Sequence, residues 1–138
     1  MRTLGRSVWR RAFARGREDR GFASVEFAVL ALVVLGLVFT CIQVGLYFHA
    51  RKVAQSAARQ GAEAGRAFGS SEGDGVAQAQ AFLSRFGGSV RGASVSSAGS
   101  TPEEIRITVR GSVATLVPGL NLHVSQYADA PVERWTNP

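Results

Sequence analysis

From Phe27 to Phe48 the chain reads FAVLALVVLGLVFTCIQVGLYF, 22 residues without a charge, and this run limits what the rest can be. A helix needs about 20 apolar residues to cross a hydrocarbon core of about 30 Å, where each backbone polar group must be satisfied within the segment. A cleavable secretory signal has a shorter apolar region of about 7–15 residues. The run therefore reads as a transmembrane helix that stays with the protein. Thr40 and Gln43 are its clearly polar side chains, and a helix in lipid accommodates both. With a span removed from 138 residues, one small extramembrane domain is the most that remains.

The charge is distributed unevenly about this run. The formal net charge is +6, but residues 1–21 hold seven arginines against Glu18 and Asp19, and the remainder holds nine basic and eight acidic residues. The leader is thus +5 and the body +1. Seven basic residues precede the apolar run, and Arg51, Lys52, Arg59 and Arg66 follow it, which favours a cytoplasmic N-terminus by the positive-inside rule. A body so close to neutral lacks the basic groove that nucleic-acid binding requires, so no nucleic acid is expected. The lone Cys41 excludes an intrachain disulfide framework or a cysteine-based metal cluster.

The expected organisation is a basic cytoplasmic leader (1–21), a transmembrane helix (22–48), a helical stalk (49–68) and an extracytoplasmic α+β domain (69–138). Beyond Phe48 the small and apolar residues keep a helical spacing through Phe68. Within that stretch Ala57, Gly61, Gly65 and Gly69 recur every four residues, a stripe that lets another element approach closely. Packing of the protein's own C-terminal domain into this groove is the first reading, and packing of a second chain is compatible with it. Residues Gly75 to about Phe86 form a short amphipathic helix that Asp74 can cap, with Gly87-Gly88 ending it. Three strands follow. Ser89–Ser96 is the weakest, Glu104–Arg110 alternates strictly, and after the Pro118-Gly119 turn Leu120, Leu122, Val124, Gln126, Ala128 and Ala130 share one face. The fold class is α+β, with a small three-stranded antiparallel sheet and one short helix.

The functional signal lies where the leader meets the apolar run, in Arg20-Gly21-Phe22-Ala23-Ser24-Val25-Glu26. Gly21 lets the backbone enter a membrane peptidase, and a cut between Gly21 and Phe22 leaves the span with the product. Glu26 is a carboxylate at the entrance of an apolar helix, where an acidic group costs up to about 2.5–3.5 kcal/mol at full depth. Cleavage would create a cation for it, the α-amino group of Phe22 on a neighbouring subunit. With no other signal, a carboxylate in the headgroup layer near the helix N-terminus, where the dipole favours an anion, is the better account of Glu26.

A basic leader, glycine, phenylalanine next, glutamate at the fifth position after the cut and then an apolar helix resemble the processing site of type IV prepilins. The fuller resemblance is to the TadE-like pseudopilins of the tight-adherence (Tad/Flp) pilus system, on Gly21-Phe-Ala-Ser-Val-Glu-Phe-Ala28 and the small-residue stretch Arg51–Gly65. More loosely, Val117-Pro-Gly-Leu and Ala130-Pro-Val-Glu-Arg134 look similar as well, and TadF-like proteins share the junction. The resemblance implies cleavage by a prepilin peptidase and methylation of the Phe22 amine. It also implies a minor pseudopilin in the inner membrane whose partners are other pilins or pseudopilins and the pilus assembly platform. The rival expectation is an uncleaved single-pass protein whose outer domain binds a partner or an envelope component.

No catalytic constellation stands out. His49 and His123 belong to no HExxH pattern, and there is no GxSxG elbow, Walker A loop or GxGxxG fingerprint. Glu72 and Asp74 fall short of the six to eight oxygens that calcium takes. Neither enzymatic activity, a metal nor a cofactor is expected.

Overall fold

The computed structural model describes the backbone of residues 8–134 and the side chains of residues 21–134. Expectations that rest on the leader's arginine side chains lie outside these described residues. The elements are α1 (Val8–Arg66), α2 (Glu72–Phe86), β1 (Val90–Ser96), β2 (Glu104–Val113) and β3 (His123–Pro131), with a single 3-10 turn at Gly87–Ser89. The strands form one antiparallel sheet in the order β1-β2-β3, so the expected α+β class holds.

The helix α1 starts earlier than the sequence suggested. Its backbone is helical from Val8 rather than from about Phe22, because no proline interrupts that stretch, and Gly16 and Gly21 each cost only about 1 kcal/mol relative to alanine. It ends at Arg66, two residues before Phe68. There Gly69 takes φ 80°, a left-handed conformation that suits glycine, and the Glu133 N–H donates to the Arg66 carbonyl at 3.0 Å.

The helix α2 also begins sooner than expected, and its N-cap is Ser71, not Asp74. The Asp74 N–H donates to Ser71 Oγ (3.3 Å) while the Ser71 N–H donates to the Asp74 carboxylate (2.8 Å). This reciprocal pair satisfies two N–H groups that a cap at Asp74 would leave open. The same hydrogen bonds from Ser71 hold the Asp74 carboxyl below the usual carboxylate range.

The chain divides into two compact units between Cys41 and Ile42. In the first, the helix exposes its large apolar side chains, among them Phe22, Phe27, Leu32 and Leu37. The second unit is two-layered. One face of the sheet, carrying Ile105, Ile107, Val109 and Val113 of β2 with Val124 and Ala130 of β3, is buried. The other face carries polar residues such as Arg110, Ser125 and Asp129, the alternation expected of an antiparallel sheet covered on one side. Ile107 and Val109 are fully buried, each contributing about 1.5–3 kcal/mol by burial.

The core of this unit falls into two clusters. One joins Ala50, Ala54, Ala57 and Ala58 of α1 to Val90, Val109, Val113 and Val124, with Phe82 and Leu83 of α2 packed on it. The other joins Ala62 to Ala79, Ile105, Ile107 and Ala130. On the opposite face of the sheet, Arg106 makes a two-pronged ion pair with Asp129, at 2.6 and 2.8 Å. The guanidinium holds the Asp129 carboxyl below its ordinary range, and the carboxylate raises the Arg106 pKa in turn.

Candidate functional site

Gly21, Phe22 and Glu26 all lie on α1. Phe22 is 78% exposed, and a Cβ added at Gly21 would meet nothing within 4 Å, so no packing requirement explains glycine at that position. Phe22 and Glu26 are four residues apart and therefore share a helix face. Together with Val25, Val29, Leu30 and Val33 they line a shallow apolar surface. Glu26 is its single charged member and makes no ion pair among the described residues. What the structure presents here is an exposed carboxylate one turn from Phe22, on a surface made for lipid or for another helix.

Ala57, Gly61 and Gly65 are placed differently. All three are buried, and the elements that cover the glycines are the chain's own α2 and β2. A Cβ at Gly61 would lie 2.7 Å from the Gly75 carbonyl oxygen and 2.9 Å from the Ala79 Cβ. At Gly65 it would lie 3.1 Å from Ile105 Cγ2 and 3.4 Å from the Gly75 Cα. Small residues on both helices thus let the two backbones meet. Gly69 takes no part in this packing, since nothing lies within 4 Å of its would-be Cβ.

Gln43 is a residue whose role the sequence did not reveal. It is 7% exposed. Its Nε2 donates to the Ala114 carbonyl at 3.3 Å, and its Oε1 accepts from the Leu116 N–H at 2.9 Å. One amide side chain thus satisfies both a donor and an acceptor of the loop between β2 and β3. Thr40, the other polar residue of the apolar run, needs no such partner: its hydroxyl donates to the Gly36 carbonyl at 2.8 Å within the helix. A lone glutamine in an apolar run was the available signal, but lipid tolerance and a partner in the fold look identical in sequence.

His49 and His123 are both exposed. No group of three or more His, Cys, Asp or Glu side chains that could hold a metal ion occurs among the described residues.

One comparison with known proteins bears on this geometry. Residues 21–63 match the family model described as TadE-like protein. Over that stretch the chain is similar to the TadE-like family. The match begins at Gly21, takes in Glu26 and the whole apolar run, and ends within the small-residue stripe. No curated protein and no solved structure matches the chain. The TadE-like match and a helix long and apolar enough to span a bilayer together make this a membrane-anchored protein.

Proposed function

We propose that the chain is a minor pseudopilin-like membrane protein that takes part in assembling or anchoring a Tad/Flp-type pilus or a related secretion filament. In this reading the N-terminus is cytoplasmic, a membrane prepilin peptidase removes residues 1–21, and the α+β unit works outside the inner membrane without catalysis. Other pilins or pseudopilins and the assembly platform are its partners.

The observation that carries the reading is Glu26, an exposed carboxylate without an ion-pair partner among the described residues, on an apolar face shared with Phe22 and inside the TadE-like stretch. A charge so placed is stabilised when an assembling neighbour brings a cation to it, because in a low dielectric an ion pair is far stronger than in water. The amine released at Phe22 supplies that cation. Each subunit then offers one amine and one carboxylate, so the same contact repeats from subunit to subunit.

Intact mass and N-terminal sequence of the membrane-extracted protein, from a host with its own peptidase, test the processing step. A chain beginning at Phe22 is expected. The Glu26→Ala variant should still be cut but should assemble poorly, and normal piliation in that variant would remove the ion-pair mechanism. One observation favours a second reading, an uncleaved single-pass protein with a partner-binding outer domain. α1 is continuous through Gly21, and a helical peptide bond must unwind before a protease can take it. A mature chain still beginning at Met1, in the presence of active peptidase, would select that reading.

A further inference from the structure

The loop from Ala114 to Leu122 carries no charged residue, and between Arg110 and Asp129 there is no Asp, Glu, Lys or Arg at all. Its tip is the Val117-Pro118-Gly119-Leu120 turn, closed by the Leu120 N–H donating to the Val117 carbonyl at 3.3 Å, with Gly119 at φ 83°. The turn exposes Leu116, Val117 and Leu120. Gln43 fixes the loop against α1 within the apolar run. Around it the helix exposes Val44 and Phe48, and Tyr47 meets Phe48 edge to face at 5.8 Å. Residues 22–41 number twenty, the length that crosses a hydrocarbon core, so Gln43, which holds the loop, comes just after a span counted from Phe22.

The fold also sorts the charges of this unit. Arg51, Lys52, Arg85, Arg91 and Arg110 are exposed and lie on the elements that build the first core cluster, the one that reaches Leu46, Tyr47 and Leu122. They make no ion pair among the described residues, and no acidic residue lies among them. The acids are all at the other end. Glu63 lies near the end of α1, and Glu72 and Asp74 open α2. Glu103 and Glu104 begin β2, while Asp129 and Glu133 close β3 and its extension. The basic residues there are all paired with these acids, Arg66 with Glu63 and Glu133, Arg106 with Asp129 and Arg134 with Glu103. Arg91 and Arg110 further share a shallow depression on the outer sheet face with Ser112, His123 and Ser125, a group of donors suited to a phosphate.

We propose that the Ala114–Leu122 loop docks into the outer leaflet of the bilayer that holds α1, and that the basic belt above it binds the phosphates of anionic lipid headgroups. This rests on the membrane-anchored reading and on no property of the filament. Leu116, Val117 and Leu120 enter the boundary between headgroups and acyl chains, where an apolar segment flanked by arginine and lysine is at home. Tyr47 and Phe48 sit at the same level as interfacial aromatics. The five cations of this belt face the negative surface potential, whose attraction falls off within a Debye length and so requires them to be this close. Arg59, also exposed and without an ion pair among the described residues, lies farther along α1 toward Glu63.

The experiment uses the full chain, with Cys41→Ser, in vesicles of phosphatidylethanolamine and phosphatidylglycerol that contain nitroxide-bearing lipid. A fluorophore is placed in turn by Leu30→Cys in the span, Val117→Cys at the loop tip and Gly73→Cys at the acidic end. Quenching is expected for the first two labels and not for the third. Exchanging phosphatidylglycerol for phosphatidylcholine, or introducing R91Q and R110Q together, should lower quenching at the loop tip by about twofold while the span label stays quenched. A loop-tip label as unquenched as the acidic-end label, beside a quenched span label, overturns the docking and leaves the anchor intact. An unquenched span label overturns the anchor and the docking with it. A loop-tip label that escapes the lipid quencher, where the unlabelled Val117→Cys protein is oxidised by dissolved oxygen with a copper catalyst to a disulfide-linked dimer, shows another copy covering the loop, which also overturns the proposal.

Discussion

The two parts of α1 use their side chains in opposite ways. From Phe22 to Cys41 the large apolar residues are exposed, and added atoms at Gly21 or Gly36 would meet open space. From Ala50 to Gly65 the buried face consists of alanine and glycine, and an added methyl at Gly61 would strike the backbone of α2. A surface that faces lipid needs bulk to make the helix apolar. A surface that faces another backbone needs the absence of bulk. Hydrophobicity along one helix therefore does not rank burial, and the least bulky segment is the best packed.

Several substitutions would break or sharpen this contrast in the full chain in detergent, with unfolding of the α+β unit followed by hydrogen exchange at β2 amides. The largest effect is expected from Ile107→Ala, which empties a fully buried site and should cost about 2–5 kcal/mol, whereas Leu32→Ala should leave the α+β unit unchanged. Equal effects would end the distinction. Next comes Gly61→Ala, expected to destabilise by about 1–3 kcal/mol through overpacking against Gly75 and Ala79. Gly36→Ala, in open space, should do no harm, and a stabilising Gly61→Ala would show that the interface has room to give.

Gln43→Leu probes the point where the two uses meet. It strands the Ala114 carbonyl and the Leu116 N–H, at a cost of about 1 kcal/mol, and should speed exchange of the Leu116 amide. Unchanged exchange would mean that the loop is held by other contacts. The smallest effect is electrostatic. Asp74 and Asp129 have folded pKa values below their unfolded ones, so the unfolded chain takes up protons first as pH falls. Their contribution is fully present above the unfolded value of about 3.9 and is lost below it, as each carboxyl protonates. Asp129→Asn should flatten this acid limb. An acid limb of the same slope in Asp129→Asn would assign the loss to other carboxylates.

Much of this was legible in the residues. The uncharged run announced a span, the strict alternation from Glu104 to Arg110 announced a half-buried strand, and the four-residue repeat of small side chains announced close approach. The cap of α2 was misplaced because Ser71 and Asp74 are both good capping residues, and only the reciprocal bonds between them show which one starts the helix. Gly21, Phe22 and Glu26 were conspicuous because glycine and glutamate are out of character beside an apolar helix. Gln43 was not, because one amide in such a run has too little cost in lipid to demand an explanation.

The sequence by itself determined the span, the α+β class and the uncharged stretch between Arg110 and Asp129, because these depend on local composition and periodicity. Only the tertiary structure decided that α2 and β2 fill the glycine stripe, that Gln43 holds the loop, and that five cations gather at one end while every acid of the unit lies at the other. Those facts depend on which distant segments become neighbours. The pairing of β2 with β1 and β3, and the antiparallel return of α2 along α1, bring together charges that lie up to 70 positions apart in the chain, and a net charge near neutral carries no trace of that separation.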